Sequence, residues 1–249
     1  MTKKLGEAID QLNWPLKNYI AAWAVHAFTM TGLLWGLLAV LALFERDYKM
    51  MWMWLVVALI VDAADGPLAR KARVSEVVPW FSGVMMDNVV DYLTWTFIPA
   101  VFMVIALPLG PTPLAVLAAT MVLMSSMFCY ANNLMKSSDW YFVGFPAAWN
   151  IVAIILWVFQ INVYLNWLVI VVFTVLAVIP WKWVHPFRVK QYRMFNAAAA
   201  VVWVITTALL VYYYPVASPW ISVPWLISGL WILGVSALRS WRGRPDRNK

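Results

Sequence analysis

Long apolar runs separated by short polar links dominate this chain and leave it few folds to choose from. A helix needs about 20 apolar residues to cross a bilayer, and only helices and closed barrels satisfy their backbone groups there. Eight candidate runs lie at roughly residues 19–44, 49–66, 82–107, 112–134, 146–160, 163–180, 195–214 and 219–238. The fifth and sixth are short, and Gln160, Asn162 and Asn166 mark a turn between them. With 64% hydrophobic and 12% charged residues, no stretch remains for a separate soluble domain. The expected fold is all-α: one polytopic membrane domain of about eight transmembrane helices. Ahead of it, Lys3, Lys4, Glu7, Asp10 and Lys17 pattern residues 2–17 as an amphipathic helix lying on the membrane surface, not as a signal peptide. The single Cys129 sits in an apolar run and excludes an internal disulfide.

The cations orient the spans. With the N-terminus inside, sixteen Lys and Arg residues fall on the inner side and only Arg46 and Lys49 on the outer, a decisive positive-inside bias. Merging the fifth and sixth runs into one span would carry Lys182, Arg188, Lys190 and Arg193 outside, so the charges argue for two spans. Both termini are therefore expected in the cytoplasm. The net charge of +7 does not point to nucleic acid, because the cations occupy short links and form no soluble basic face. Tyr212, Tyr213, Tyr214 and Trp220 read as interfacial aromatics on the outer side.

Four acids interrupt this apolar pattern: Asp62, Asp65, Asp87 and Asp91. Each is costly in hydrocarbon unless paired or solvated. Asp62 and Asp65 share a helix face at i,i+3, and Asp87 and Asp91 share one at i,i+4. A short inner loop makes the two helices antiparallel neighbours, so the four carboxylates converge on one side of the membrane. Such a group repels itself, and divalent magnesium or manganese, with oxygen ligands, is the simplest stabiliser. Pairing with Arg70, Lys71 or Arg73 would account for one or two of the acids, and a proton or cation relay is a further reading. The wider pattern is Asp62-x-x-Asp65-Gly66-x-x-Ala69-Arg70, twelve residues, then Gly83-x-x-x-Asp87-x-x-x-Asp91. Gly66 and Ala69 remove bulk so that a ligand can approach the backbone, Arg70 offers a fixed cation for phosphate, and Gly83 thins its helix where a ligand or partner helix must pass.

This pattern resembles the signature of the CDP-alcohol phosphotransferases at every fixed position. It departs in its spacer, since most members have eight or nine residues where this chain has twelve. That longer spacer resembles the bacterial phosphatidylcholine synthase branch, as do Ala24-Val25-His26-x-x-Thr29-x-Thr31-Gly32, the segment from Lys136 to Asn150, and Val184-His185-Pro186-Phe187-Arg188. The resemblance implies a six-helix catalytic core over 19–180 after an interfacial helix at 1–18, with two extra helices and a basic tail over 181–249. It implies two divalent cations, Mn2+ or Mg2+, held by Asp62, Asp65, Asp87 and Asp91, with Asp91 as general base. Gly66, Ala69, Arg70 and Gly83, with Thr29 and Thr31, would lie along the CDP group. A homodimer in the bacterial inner membrane, with its active site near the cytoplasmic face, is also implied.

The substrates implied are CDP-diacylglycerol and choline. Choline's trimethylammonium is best held by aromatic faces, with or without a carboxylate, which singles out Tyr92, Asp139, Tyr141, Phe145, Trp149 and Asn150. The same aromatics fit an interfacial belt, and Asp139 and Asn150 fit helix caps. His26 reads as a packing residue, and His185, among cations, as part of an anchor for anionic head groups. Thr29 and Thr31 also fit the common role of bonding their own helix backbone. Serine or glycerol phosphate as acceptor, with Lys136 and Arg73 as cations, is the alternative within the family. A cation transporter is the alternative outside it.

Overall fold

The computed structural model describes residues 14–132, 137 and 139–242. Its helices are α1 (Leu16–Phe44), α2 (Tyr48–Lys71), the short α3 (Val74–Val77), α4 (Gly83–Asp91), α5 (Ile98–Ala106), α6 (Thr112–Ala131), α7 (Trp149–Val158), α8 (Val163–Val178), α9 (Arg193–Tyr212) and α10 (Pro219–Trp241). A π-helical segment, Tyr92–Phe97, joins α4 to α5 without a break, so Gly83–Ala106 forms one membrane-length helix. Six helices are long and apolar enough to cross a membrane, while α7 and α8 are shorter, at 10 and 16 residues. The expected surface helix falls almost wholly outside the described residues, as do Lys136 and the end of the basic tail; Leu16 and Lys17 already belong to α1.

The links follow local chemistry. Between α1 and α2, Arg46 takes a left-handed conformation (φ 58°) and the Asp47 carboxylate caps α2 by accepting from the Met50 amide at 3.0 Å. Ser82 caps α4 in the same way through the Met85 amide. The α1 and α4 helices cross tightly at Gly32, where an added Cβ would stand 2.5 Å from Val90 Cγ1.

The fifth and sixth runs fold as two helices, as the charges require. Gln160 (φ 49°) turns the chain, and Asn162 caps α8 by accepting from the Tyr164 and Leu165 amides. Asn166 and Trp167, at the start of α8, donate to the carbonyls of Pro108 and Leu109 in the α5–α6 link. At the other end of this hairpin, Phe142–Val143 pairs antiparallel with Lys182–Trp183 as β1 and β2. The hairpin thus crosses from one face to the other and returns.

The fifth run is helical only from Trp149, because residues 144–148 fold as irregular backbone. Irregular backbone inside a membrane protein must find partners within the protein, and several of its groups do. The Gly144 and Phe145 amides donate to Trp181 and Leu176 carbonyls, and Thr96 Oγ1 donates to the Ala147 carbonyl at 3.3 Å. Gly144 is required at its place: φ is +86°, and a Cβ would stand 2.5 Å from the Ala177 carbonyl oxygen.

Alternation of the spans puts the C-terminal end of α2, the start of α4, the 139–148 link and the C-terminal end of α10 on one shared face. The core lies between, with Trp52, Phe102 and Trp157 packed edge-to-face toward the opposite side.

Candidate active site

The last turns of α2 and the whole of α4 carry the signature residues, and α2 continues through them to Lys71 despite Pro67. Pro67 has no amide proton, so the Ala63 carbonyl, four residues earlier, loses its helix partner within the motif. One carboxylate oxygen each from Asp62, Asp87 and Asp91 lies within 4.8 Å of the others, and all three side chains are half-buried. Asp62 stands close enough to Asp91 for a hydrogen bond when one of them carries a proton. Asp91 Oδ1 is buried, and no hydrogen-bond donor among the described residues reaches it. Three hard anionic oxygens at this spacing, one buried and undonated, fit a divalent cation.

Asp65 lies outside that trio. Its side chain is buried, and its Oδ2 accepts from Thr29 Oγ1 at 2.8 Å. The hydroxyl has one proton, and its contact with the Val25 carbonyl is longer, at 3.3 Å, so Asp65 takes it. Asp65 remains near enough to act electrostatically on Asp62 and Asp91. Thr29 therefore orients an acid. Thr31 sits about 200° round the same helix, and its hydroxyl donates to the Phe28 carbonyl at 2.7 Å; the structure does not bring the two threonines together.

Arg70 folds back along α2, its guanidinium 3.4 Å from where a Gly66 Cβ would stand. Gly83 makes room for His26, whose ring lies 3.0 Å from the position of a Gly83 Cβ. His26 is buried edge-on against Trp23 and Phe81, packed between α1 and the start of α4. Arg73 pairs with Glu76 and lies over the Trp14 ring, which draws it away from the role of a cation for an anionic acceptor.

The residues singled out for choline divide. Tyr92 follows Asp91 directly, at the start of the π-helical segment, a geometry frequent at functional sites. Its ring meets Tyr130 of α6 edge-on at 5.7 Å. Tyr130 feels the charges of Asp91, Asp62 and Asp87 and was not singled out from the sequence; its one signal was a tyrosine near the inner end of the fourth apolar run. Phe145 and Trp149 are buried in an aromatic cluster with Phe173 and Trp183. Tyr141 is buried beside Val184, Val189 and Val235. Asn150 Oδ1 accepts from the Ile151 amide at 2.7 Å. Burial packs the Phe145, Trp149 and Tyr141 side chains into the protein interior, and Asn150 lines a small cavity with Leu55, Val56 and Leu59 of α2.

Asp139 is part of a different arrangement. It accepts from Ser137 Oγ at 2.6 Å and from Arg239 Nε at 2.7 Å. Burial alone would raise its pKa, but the bonds from Ser137 and Arg239, with the Arg239 charge, outweigh burial and hold the carboxyl below its ordinary value. His185 stacks on Phe142.

No family model matches the chain. A phosphatidylcholine synthase from Pseudomonas aeruginosa is 42% identical over 225 residues, which is 90% of this chain and 94% of that protein. Those from Agrobacterium fabrum and Rhizobium meliloti are 33% and 35% identical over 219 and 213 residues, or 88% and 86% of this chain, and 90% and 88% of their own lengths.

Proposed function

The chain belongs to the phosphatidylcholine synthase family, and we propose that it transfers the phosphatidyl group of CDP-diacylglycerol to choline, giving phosphatidylcholine and CMP. The observation that carries this reading is the convergence of the Asp62, Asp87 and Asp91 oxygens within 4.8 Å at one end of two membrane-length helices. A lipid donor suits that place, since its acyl chains can stay in the bilayer while its diphosphate enters the polar end of the bundle.

Asp62, Asp87 and Asp91 are the residues that would hold a divalent cation, Mn2+ or Mg2+, and Asp65 is the remaining ligand for the second ion that the family resemblance implies. A bound ion supplies positive charge against the diphosphate and the departing CMP. Asp91 accepts the hydroxyl proton of choline as the choline oxygen bonds to the phosphorus that carries diacylglycerol. The bond from that phosphorus to the CMP oxygen breaks, and CMP leaves with the electron pair. Thr29 holds Asp65 in place, and Arg70, lying along Gly66, offers a phosphate its guanidinium. Gly66 and Ala69 keep the nucleotide's approach free of bulk, whereas the space over Gly83 is taken by the His26 ring. The choline ammonium, which has no N–H to donate, rests on the faces of Tyr92 and Tyr130 beside the acids. The proposed reaction lies at the cytoplasmic face of the bacterial inner membrane with both termini inside, a reading supported by the sixteen-to-two bias of cations toward that side, and the proposed assembly, a homodimer, is what the family resemblance implies.

Membranes carrying the protein are incubated with CDP-diacylglycerol, manganese and labelled choline, serine, glycerol phosphate or inositol in turn. Labelled lipid forms from choline alone, and equal incorporation of another alcohol would reassign the acceptor. Tyr130→Leu raises the choline KM by about tenfold, in line with the loss of one cation–π contact, and an unchanged KM would remove Tyr130 from the choline site.

A further inference from the structure

A cavity of about 360 Å³ opens where α10, the 139–141 link and the 189–192 link meet. Lys190, Arg239 and Arg242 line it against one acid, Asp139, so the lining is net positive. None of its lining residues belongs to α2 or α4, the helices that carry the catalytic acids. Lys190 is exposed and free to swing toward a ligand, whereas Arg239 is only 8% exposed and built in. Asp139 fixes Arg239 through Nε, and the Tyr141 ring lies 5.6 Å from the guanidinium carbon. Among the described residues only Nε is engaged in a hydrogen bond, which leaves the other guanidinium N–H donors for a ligand. A preorganised arginine flanked by two further cations is the arrangement that recognises phosphate. Leu238 adds an apolar wall on the side of α10, where a lipid glycerol backbone would pass. Basic pockets between membrane helices commonly hold phospholipid head groups.

We propose that this cavity is a second, non-catalytic site for a phosphate group, supplied by the head group of an anionic phospholipid or by a soluble phosphate. The proposal does not rest on the transferase reading. It is tested with the full chain in phosphatidylcholine vesicles containing pyrene-labelled phosphatidylglycerol, read by energy transfer from tryptophan, and in detergent with inorganic phosphate, read by phosphorus NMR. Loss of each cation weakens binding about fivefold, so Lys190→Gln with Arg242→Gln together weaken it roughly 25-fold. Lys49→Gln, on the opposite side of the bundle, leaves it unchanged. Circular dichroism and gel filtration confirm that each variant is folded. Variant-sensitive enrichment of the labelled lipid identifies a lipid head group, and variant-sensitive binding of phosphate alone identifies a soluble source; either supports the site. Binding that is equal in wild type and the double variant in both arms overturns it.

Discussion

Asp91 and Asp139 are carboxylates on the same face of one helix bundle, and the protein accommodates them in opposite ways. Asp139 has a full protein environment, with a hydroxyl donor from Ser137 and a guanidinium from Arg239. Asp91 has as its nearest charged company Asp62 and Asp87, further acids on the same two helices. A carboxylate satisfied by its own chain holds structure together. Carboxylates gathered against one another repel, and a cation held between them would relieve that repulsion. The contrast separates a structural acid from a chemical one where exposure alone does not, since both are partly buried.

Substitutions can break this comparison in order of size. Asp91→Asn removes the proton acceptor and a third of the carboxylate trio, and choline incorporation falls by about a thousandfold while gel filtration shows a folded protein. Wild-type turnover in that variant would end its role as base. Thr29→Val leaves Asp65 buried without its hydroxyl donor, and kcat falls about tenfold with the melting temperature close to wild type; a large loss of stability with normal kcat would make Thr29 structural instead. Asp139→Asn has the smallest effect. Asp139 is itself 38% exposed, and an asparagine amide oxygen can still accept from Arg239 Nε, so the stability change stays below about 1 kcal/mol, and choline incorporation is retained.

The same variant sharpens the comparison through pH. The folded pKa of Asp139 lies below its unfolded value. Its stabilisation is therefore fully present above the unfolded pKa, near 3.9, and is lost as pH falls through the folded value. Thermal melts of wild type and Asp139→Asn should differ above that unfolded pKa and converge at the acid end. Curves that stay parallel to the acid limit would show that the pair contributes nothing.

The catalytic half of the contrast, the acid trio, was partly legible in the sequence because it is local: a four-residue spacing places Asp87 with Asp91 on one helix face, and a short link makes α2 and α4 neighbours. The expected fourth acid, Asp65, lies outside the trio because Thr29 on α1, 36 positions away, binds it. The charge distribution likewise separated α7 from α8. The structural half was hidden because Asp139 and Arg239 stand 100 positions apart, and nothing in spacing announces such a partner. Aromatic roles were hidden for a related reason. Phe145, Trp149 and Tyr141 have the chemistry to hold an ammonium, but packing turns their rings into the core. Tyr130 has the same chemistry, and the fold turns it toward the acids. The irregular segment at 144–148 was equally illegible, since it depends on carbonyls from α8 and the link after it and on a hydroxyl from the π-helical segment.

The central claim is that the acids of α2 and α4 bind a divalent cation while the acid beside α10 does not. Purified protein in detergent is titrated with Mn2+ and the free ion is followed by electron paramagnetic resonance. Saturable binding in wild type and Asp139→Asn, lost in Asp62→Asn and Asp87→Asn, is the predicted result. Equal binding by all four proteins, or none by wild type, would contradict the account.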